Sequence, residues 1–399
     1  MWGHAVGESM TGRADIIIVG AGIQGATLAF ELAKRGTQVL VLERDTVASG
    51  GTGKSCGLVR MHYDLESDAQ LAWTSFPYFE RWDEMVGAGD CGFVRRGFLQ
   101  LVPPRLSDAL RANVAMMRSI GIEVETVGAA EVAGLFPGCA TDDVVVAAYE
   151  LRSGYADPSG TTAGFLAAAR RHGARLQQGC LVESVLVERD RVTGVAISTG
   201  ELAADVVVDA AGPWAAQLAR SVGLDVPIEV WRHDTAYFGL PEGRGTDWPV
   251  VIDHAREVYF RPEGQHQMLV GLEVANEIGG SPDRPYGTMS GEVSDLMIER
   301  VCERVPWMVD GTLRATQVGQ DGLTPDQRPI LDQVGPEGFY LACGLSGTGF
   351  KTAPAQGLGM AELILDGVAS STDISMYSLD RFKRGELLEG AHTYGHIWS

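Results

Sequence analysis

Three glycines, Gly20, Gly22 and Gly25, stand at GxGxxG spacing in GAGIQG, directly after an apolar run and at the start of a helical pattern. In that setting the first glycine makes a tight turn, the second lets the backbone approach a pyrophosphate, and the third lets helix pack on strand. Ile23 and Gln24 open the helix, where N-terminal amides hold phosphate charge. Glu43 closes the next apolar run, TQVLVLE, about where an acid takes ribose hydroxyls, and Arg44 follows it. Such a unit binds a dinucleotide, and by itself it suits NAD and FAD alike.

A second glycine turn lies near the end of the chain. SGTGFK, with Gly347, Thr348, Gly349, Phe350 and Lys351, follows the apolar strand FYLACG and precedes a helical pattern. Its amides form a further anion-binding turn, the plainer alternative being that Gly347 and Gly349 simply cap a helix. Arg60, in LVRMHY, follows a glycine-rich loop, and its planar fork matches a carboxylate bidentately; a surface ion pair is the plainer use of such an arginine. Only four lysines exist (Lys34, Lys54, Lys351, Lys383), so one near chemistry stands out.

The elements that must position these residues can be read from pattern. Ala14 to Glu43 reads as strand, helix, strand. Ser67 to Val86 and Ser107 to Ile120 have helical spacing, and Gly164 to Arg171 is a further helix followed by strand signals in ARLQQG, LVESVLVE and RVTGVAIS. ADVVVDAAGPWA is a buried strand running into a glycine and a helix. After about Pro227 the texture changes to aromatic-rich short strands, EVWRHDTAYFGL and EVYFRP, with a helix at Ser294 to Arg304. FYLACG and AQGLGMAELILDG close the fold. Nucleotide-binding texture thus recurs at the start, middle and end. The expected fold class is α/β, with a Rossmann-type domain built from 14–90, 146–226 and 315–385. A discontinuous, mainly antiparallel substrate domain takes 91–145 and 227–314, leaving tails at 1–13 and 386–399.

Composition narrows the function. A formal charge of −20 argues against nucleic acid, whose phosphates need clustered cations. No apolar run approaches the length a bilayer needs, and Met1 to Gly12 has neither the basic start nor the apolar core of a secretory signal. Six scattered cysteines without a CxxC pair disfavour zinc and a disulfide framework and fit a reducing cytoplasm.

Four segments in order, the opening motif, GGTGKSCGLVRMHY, VVVDAAGPWA, and the closing GLTPDQRPIL with GLSGTGFKTAP, resemble the D-amino-acid oxidase superfamily, above all its sarcosine oxidase and dimethylglycine dehydrogenase branch. The resemblance runs over nearly the whole chain. It implies FAD, with Gly51, Thr52, Lys54, Ser55, Cys56, Gly57, Leu58, Val182, Ala211, Gly212 and Trp214 joining the two glycine turns around it. Two anion-binding turns also suit FAD better than NAD, one for the pyrophosphate and one for the electron-rich edge of the flavin.

The resemblance makes Arg60 and Lys351 the clamp for a substrate carboxylate and Tyr63 and Tyr259 aromatic members of the pocket, although half-buried tyrosines also serve simply as core. His233 falls where dimethylglycine-oxidising relatives carry a histidine facing the substrate amine, whose proton a neutral imidazole could take; His62, His254 and His266 have weaker claims. Where relatives tether flavin through histidine this chain has Lys54, and near Gly319 and Gln320, where others use cysteine, it has none. Non-covalent FAD is therefore expected. No lysine occurs from Arg261 to Asn276, where sarcosine oxidases carry one for oxygen, so oxygen and another acceptor both stay open.

The expected reaction is oxidation of a small carboxylate-bearing amine or amino acid to an imine by a monomer or homodimer. Alternatives are a 2-hydroxy acid oxidoreductase and a flavoprotein subunit of a larger complex. A flavin monooxygenase would show a late GD-type motif, absent between Val206 and Pro354.

Overall fold

The computed structural model describes residues 13–285 and 287–395. Met1 to Gly12, expected to be a loose tail, lies outside the described residues. Strand Ile16–Val19, helix Ile23–Lys34 and strand Val39–Leu42 form the expected opening unit. The two strands join Val206–Asp209, Phe339–Cys343 and Arg175–Gln177 in a parallel array, with Ile330–Gln333 antiparallel at one edge. Ile16, Ile18, Val39 and Val41 face a core shared with the helices, while Ile17, Val19, Leu40 and Leu42 face a core under the antiparallel strands Val182–Glu188, Arg191–Ile197 and Gly200–Ala203. Both faces are covered, which is why these strands read as unbroken apolar runs.

The second sheet has nine strands and is largely antiparallel. EVWRHDTAYFGL, expected as short-strand material, is one strand, Glu229–Gly239, paired with Gln267–Leu272 on one side and along its whole length with Thr312–Leu323 on the other. Sheet membership cuts across two expected divisions. Thr312–Leu323 lies wholly in this sheet, across the expected division at 314/315, and Ala147–Glu150 pairs with Phe98–Leu101 inside the expected Rossmann segment that starts at 146. The physical reason is that TLRATQVGQDGL carries neither an apolar run nor a clean alternation.

Helix ends also moved. Pro158–Arg171 starts six residues before Gly164, with the Asp157 side chain accepting from Ser159 N (2.9 Å) and Pro158 in the first turn, a start signal present in the sequence. Gly291–Arg304 starts ahead of Ser294 under a Ser290 cap, and the closing helix runs from Gly349 to Asp366 with Pro354 inside it. The helix begun at Glu66 ends at Glu80, where Arg81 leaves helical dihedrals. Residues 386–395, expected as tail, are mostly exposed but anchored: Tyr394 is buried, its hydroxyl lies 2.8 Å from His62 Nε2, and Asn113 Nδ2 donates to the His392 carbonyl (2.9 Å). Among the described residues no helix is long and apolar enough to cross a membrane, and no group of three or more His, Cys, Asp or Glu is arranged to hold a metal ion.

Candidate active site

A cavity of about 870 Å³ opens at the C-terminal ends of the parallel strands, where Val19, Leu42, Ala210 and Ala342 enter its wall. In open α/β sheets this is where ligands bind, because loops diverge there and helix N-termini point inward. The first glycine turn forms part of the wall and is tightly built. Gly20 has φ +110°, and a Cβ there would sit 2.5 Å from the Ala210 carbonyl oxygen; a Cβ on Gly25 would sit 2.0 Å from the Gly20 carbonyl oxygen. Gly22 is different, since a Cβ on it would meet only the Thr52 hydroxyl, at 3.1 Å, and its open side is the cavity. Glu43 accepts the Ala21 amide on one oxygen and the Asp45 amide on the other, both at 2.8 Å, which fixes the carboxylate and leaves each oxygen a second lone pair.

The wall has the polarity a dinucleotide needs. The side chains of Gln24 and Gln320 are buried in it, and both amide atoms of Gln24 and Oε1 of Gln320 have no hydrogen-bond partner among the described residues. Buried amides are normally hydrogen-bonded, so a polar ligand is the natural complement. FAD therefore fits the residues present. Arg44, Gly51, Thr52, Lys54, Ser55, Cys56, Leu58, Val182, Ala211, Gly212, Trp214, Gly347, Gly349, Phe350 and Lys351 line the same cavity, as do Gly20, Gly22, Ile23, Gln24, Glu43, Arg60, His233 and Tyr259.

Gly25, Gly57, Tyr63 and Thr348 stand behind the wall. Gly57 holds a turn at φ +68° against the Ala156 carbonyl oxygen, 2.2 Å from where its Cβ would be. His62, His254 and His266 are also outside the wall; His254 Nδ1 lies 2.6 Å from Glu273 Oε1. Wall residues that sequence reasoning missed include Trp231, Ile252, Asp321 and 282–285. Trp231 had a signal, since it sits two residues before His233 on the same strand face.

The second glycine turn departs from expectation. The Gly347 amide donates to Asp321 Oδ2 (2.7 Å) and the Thr348 amide to the Leu345 carbonyl (2.9 Å), so both are used within the chain. What remains for an anion is the first turn of the helix from Gly349, whose amides lack intrahelical acceptors. Burial raises the Asp321 carboxyl, and the Gly347 and Gly322 amides and Lys351 oppose that rise.

Two cations meet where the cavity reaches the nine-stranded sheet. Arg60 is 2% exposed, with its guanidinium 4.5 Å from the Tyr63 ring centre and 5.5 Å from that of Phe98; Lys351 Nζ lies 5.5 Å from the same Tyr63 ring. Burial first, and the Arg60 charge second, push the Lys351 ammonium down to about 7, against the pull of Cys56, Asp68 and Asp321. Behind them Glu150, fully buried, accepts from Ser153 Oγ (2.5 Å) and Met61 N (3.0 Å), and burial raises its carboxyl.

His233 is held at both ring nitrogens. Asn276 Nδ2 donates to the Leu272 carbonyl (3.4 Å), which turns Asn276 Oδ1 toward His233 Nδ1 at 2.9 Å. Because Oδ1 only accepts, Nδ1 carries the proton, Nε2 of the neutral ring accepts, and the Tyr259 hydroxyl donates to it at 2.6 Å. Burial lowers the His233 pKa, keeping the ring neutral, while burial and Cys56 raise Tyr259. The Tyr259 ring lies directly over Gly271, where a Cβ would come within 2.3 Å of it. His233 Nε2 is therefore already engaged by the Tyr259 hydroxyl.

The fold and this cavity define a flavin-dependent class of α/β oxidoreductase. The sequence pattern described as "FAD dependent oxidoreductase" (DAO) matches residues 15–363, and the chain belongs to that family. It is similar to human mitochondrial sarcosine dehydrogenase, 29% identical over 385 residues that are 92% of this chain and 41% of that protein. The chain thus spans about two fifths of that relative's length. It is also similar to glycine oxidase of Geobacillus kaustophilus, 28% identical over 93% of this chain and 98% of that one. Among solved structures, L-proline dehydrogenase from P. horikoshii superposes with a TM-score of 0.87 at 26% identity, over 94% of this chain and 99% of that one.

Proposed function

We propose that this protein oxidises the C–N bond of a small amine or amino acid bearing a carboxylate, giving an imine that water hydrolyses, with FAD held non-covalently in the cavity described above. The observation that carries the reading is the pair of buried cations, Arg60 and Lys351, flanking Tyr63 at the wall of a cavity built for a dinucleotide. A planar guanidinium fork and an ammonium on one wall match the oxygens of a carboxylate, which accepts from both. FAD, when bound, provides the two-electron acceptor. The protein's part is to fix the carboxylate, so that the adjacent carbon keeps one position, and to take the amine proton. The Tyr259 hydroxyl accepts that proton as its own passes to His233 Nε2, the route left by the hydrogen bonds of the ring. Leu58, Trp231 and Ile252 give the same pocket apolar walls.

The test is anaerobic bleaching of the flavin absorbance by a panel of amino acids, N-methyl amino acids, hydroxy acids and the amides of the best substrates. Carboxylate-bearing amines should bleach it and release ammonia or an amine. Arg60→Ala should lose roughly 10- to 100-fold in substrate affinity, as charge-assisted contacts of about 1.5–3 kcal/mol imply. A wild type that prefers the amide analogue would sink the carboxylate assignment, and keto acid without amine release would move the reading to 2-hydroxy acids. Acid precipitation should leave the yellow colour in solution; colour retained by the polypeptide would point to a covalent bond.

A further inference from the structure

The cavity has a wall that the nucleotide-binding unit does not supply. Residues 281–285 lie in the connection from strand Glu277–Ile278 of the nine-stranded sheet to helix Gly291–Arg304, yet Pro282, Asp283, Arg284 and Pro285 line the same cavity as Gly20 and Gly22. Pro282 is buried, and two prolines with fixed φ stiffen the segment. Arg284 is tied back to Glu277 on the loop's own strand.

Asp283 reaches the other way. Its Oδ1 accepts from Trp214 Nε1 at 2.7 Å, 69 residues away in sequence, and lies 3.3 Å from Arg44 Nη1, 239 residues away. Arg44 in turn stacks on the Trp214 ring, 4.3 Å from its centre. One carboxylate oxygen therefore gathers the residue after Glu43 and the residue after Gly212 and Pro213, both at C-terminal ends of the parallel strands. Nothing in the loop's own folding requires this span, since the turn is already closed locally by the Ser281 hydroxyl, which accepts from Asp283 N at 3.2 Å.

We infer that loop 281–285 is a clasp across the nucleotide site, and that the Asp283–Trp214–Arg44 contact sets how long the dinucleotide stays bound. The inference rests on the reading that this cavity holds FAD. Its consequence is that cofactor retention depends on a contact made by the substrate sheet, so that loosening that sheet's loop frees the cofactor while the glycine turns stay intact. The ion-pair share is modest, because Arg44 and Asp283 side chains are 37% and 58% exposed; the indole N–H to carboxylate bond is the stronger component.

The experiment follows FAD appearing in an ultrafiltrate after the FAD-loaded protein is diluted, for wild type, Asp283→Ala, Trp214→Phe and the double variant. Asp283→Ala should release FAD about tenfold faster, with apoprotein melting unchanged. Trp214→Phe keeps a ring under Arg44 but loses the donor; it should also speed release, and the double variant should be no faster than Asp283→Ala alone, because both changes remove one bond. Raised salt should speed release from wild type and not from Asp283→Ala. Equal release by wild type and Asp283→Ala, strictly multiplying effects in the double variant, or a matching fall in apoprotein melting would each overturn the clasp. A wild type that binds no FAD would instead overturn the reading of the cavity, so the two failures are distinguishable.

Discussion

Lys351 shows how a single side chain is set by its surroundings. Its ammonium, only 6% exposed and facing Arg60, is pushed down to about 7, while Cys56, Asp68 and Asp321 act the other way. An arriving carboxylate favours the charged form, so binding near neutral pH should take up a proton, and affinity should fall as pH rises through and above about 7. Lys351→Met should flatten that dependence, read by titrating the flavin absorbance with substrate at several pH values. Stability has a matching sign. The folded value lies below the ordinary 10.5, so between about 7 and 10.5 the unfolded chain binds more protons and the ligand-free protein gains stability with rising pH. Lys351→Met should therefore stabilise the ligand-free chain at pH 7, by an amount on the order of a few kcal/mol, and by less at pH 10, measured by chemical denaturation.

At the scale of elements, the antiparallel register decides which groups meet. Tyr259 and Gly271 are direct partners between strands Val258–Glu263 and Gln267–Leu272, and Gly271 also faces Thr235 on the strand that carries His233. A glycine inside a strand weakens it unless something must lie over the backbone, and here the Tyr259 ring does. Gly271→Ala should push the ring away from His233 and slow flavin reduction by roughly 10- to 100-fold, a modest share of what acid–base groups supply. Tyr259→Phe, which keeps the ring and loses the hydroxyl, should slow it similarly, both without loss of FAD. Stopped-flow reduction is the measurement, and a Gly271→Ala protein that reduces at the wild-type rate would show that the gap does not position the ring.

Across the whole molecule, distant segments are joined by buried ion pairs. Arg381 pairs with Asp326 through two hydrogen bonds (2.7 and 2.9 Å) and donates to the Arg328 carbonyl, while Arg328 reaches Asp64 at 3.0 Å and Asp68 at 2.6 Å, and the Tyr377 hydroxyl donates to Asp68 at 2.7 Å. The Asp326 and Arg381 side chains are 0% and 1% exposed. Removing one partner strands the other charge, so Arg381→Met should cost roughly 3–5 kcal/mol. Asp326→Asn added to it should recover part of that loss. Denaturation midpoints of the two variants check this, and equal losses would mean that Asp326 finds another partner.

Much of the site was legible from the sequence because it is local. GAGIQG, the apolar run into Glu43, VVVDAAGPWA and SGTGFK each place their residues through consecutive backbone geometry, and Arg60, Lys351, His233 and Tyr259 do come to one cavity. The apolar runs likewise announced strands covered on both faces. What sequence alone left undecided is how groups far apart in the chain use one another. Tyr259 occupies His233 Nε2, Asp321 takes the Gly347 amide, and Asp283 crosses to Trp214 and Arg44. Those pairings depend on strand register and sheet order, which no short motif encodes. The Lys351 shift depends on burial and on a guanidinium 291 positions away in numbering (351 less 60). Propensity and spacing act over a turn or a strand, whereas desolvation and hydrogen-bond competition exist only once the two sheets close around the cavity.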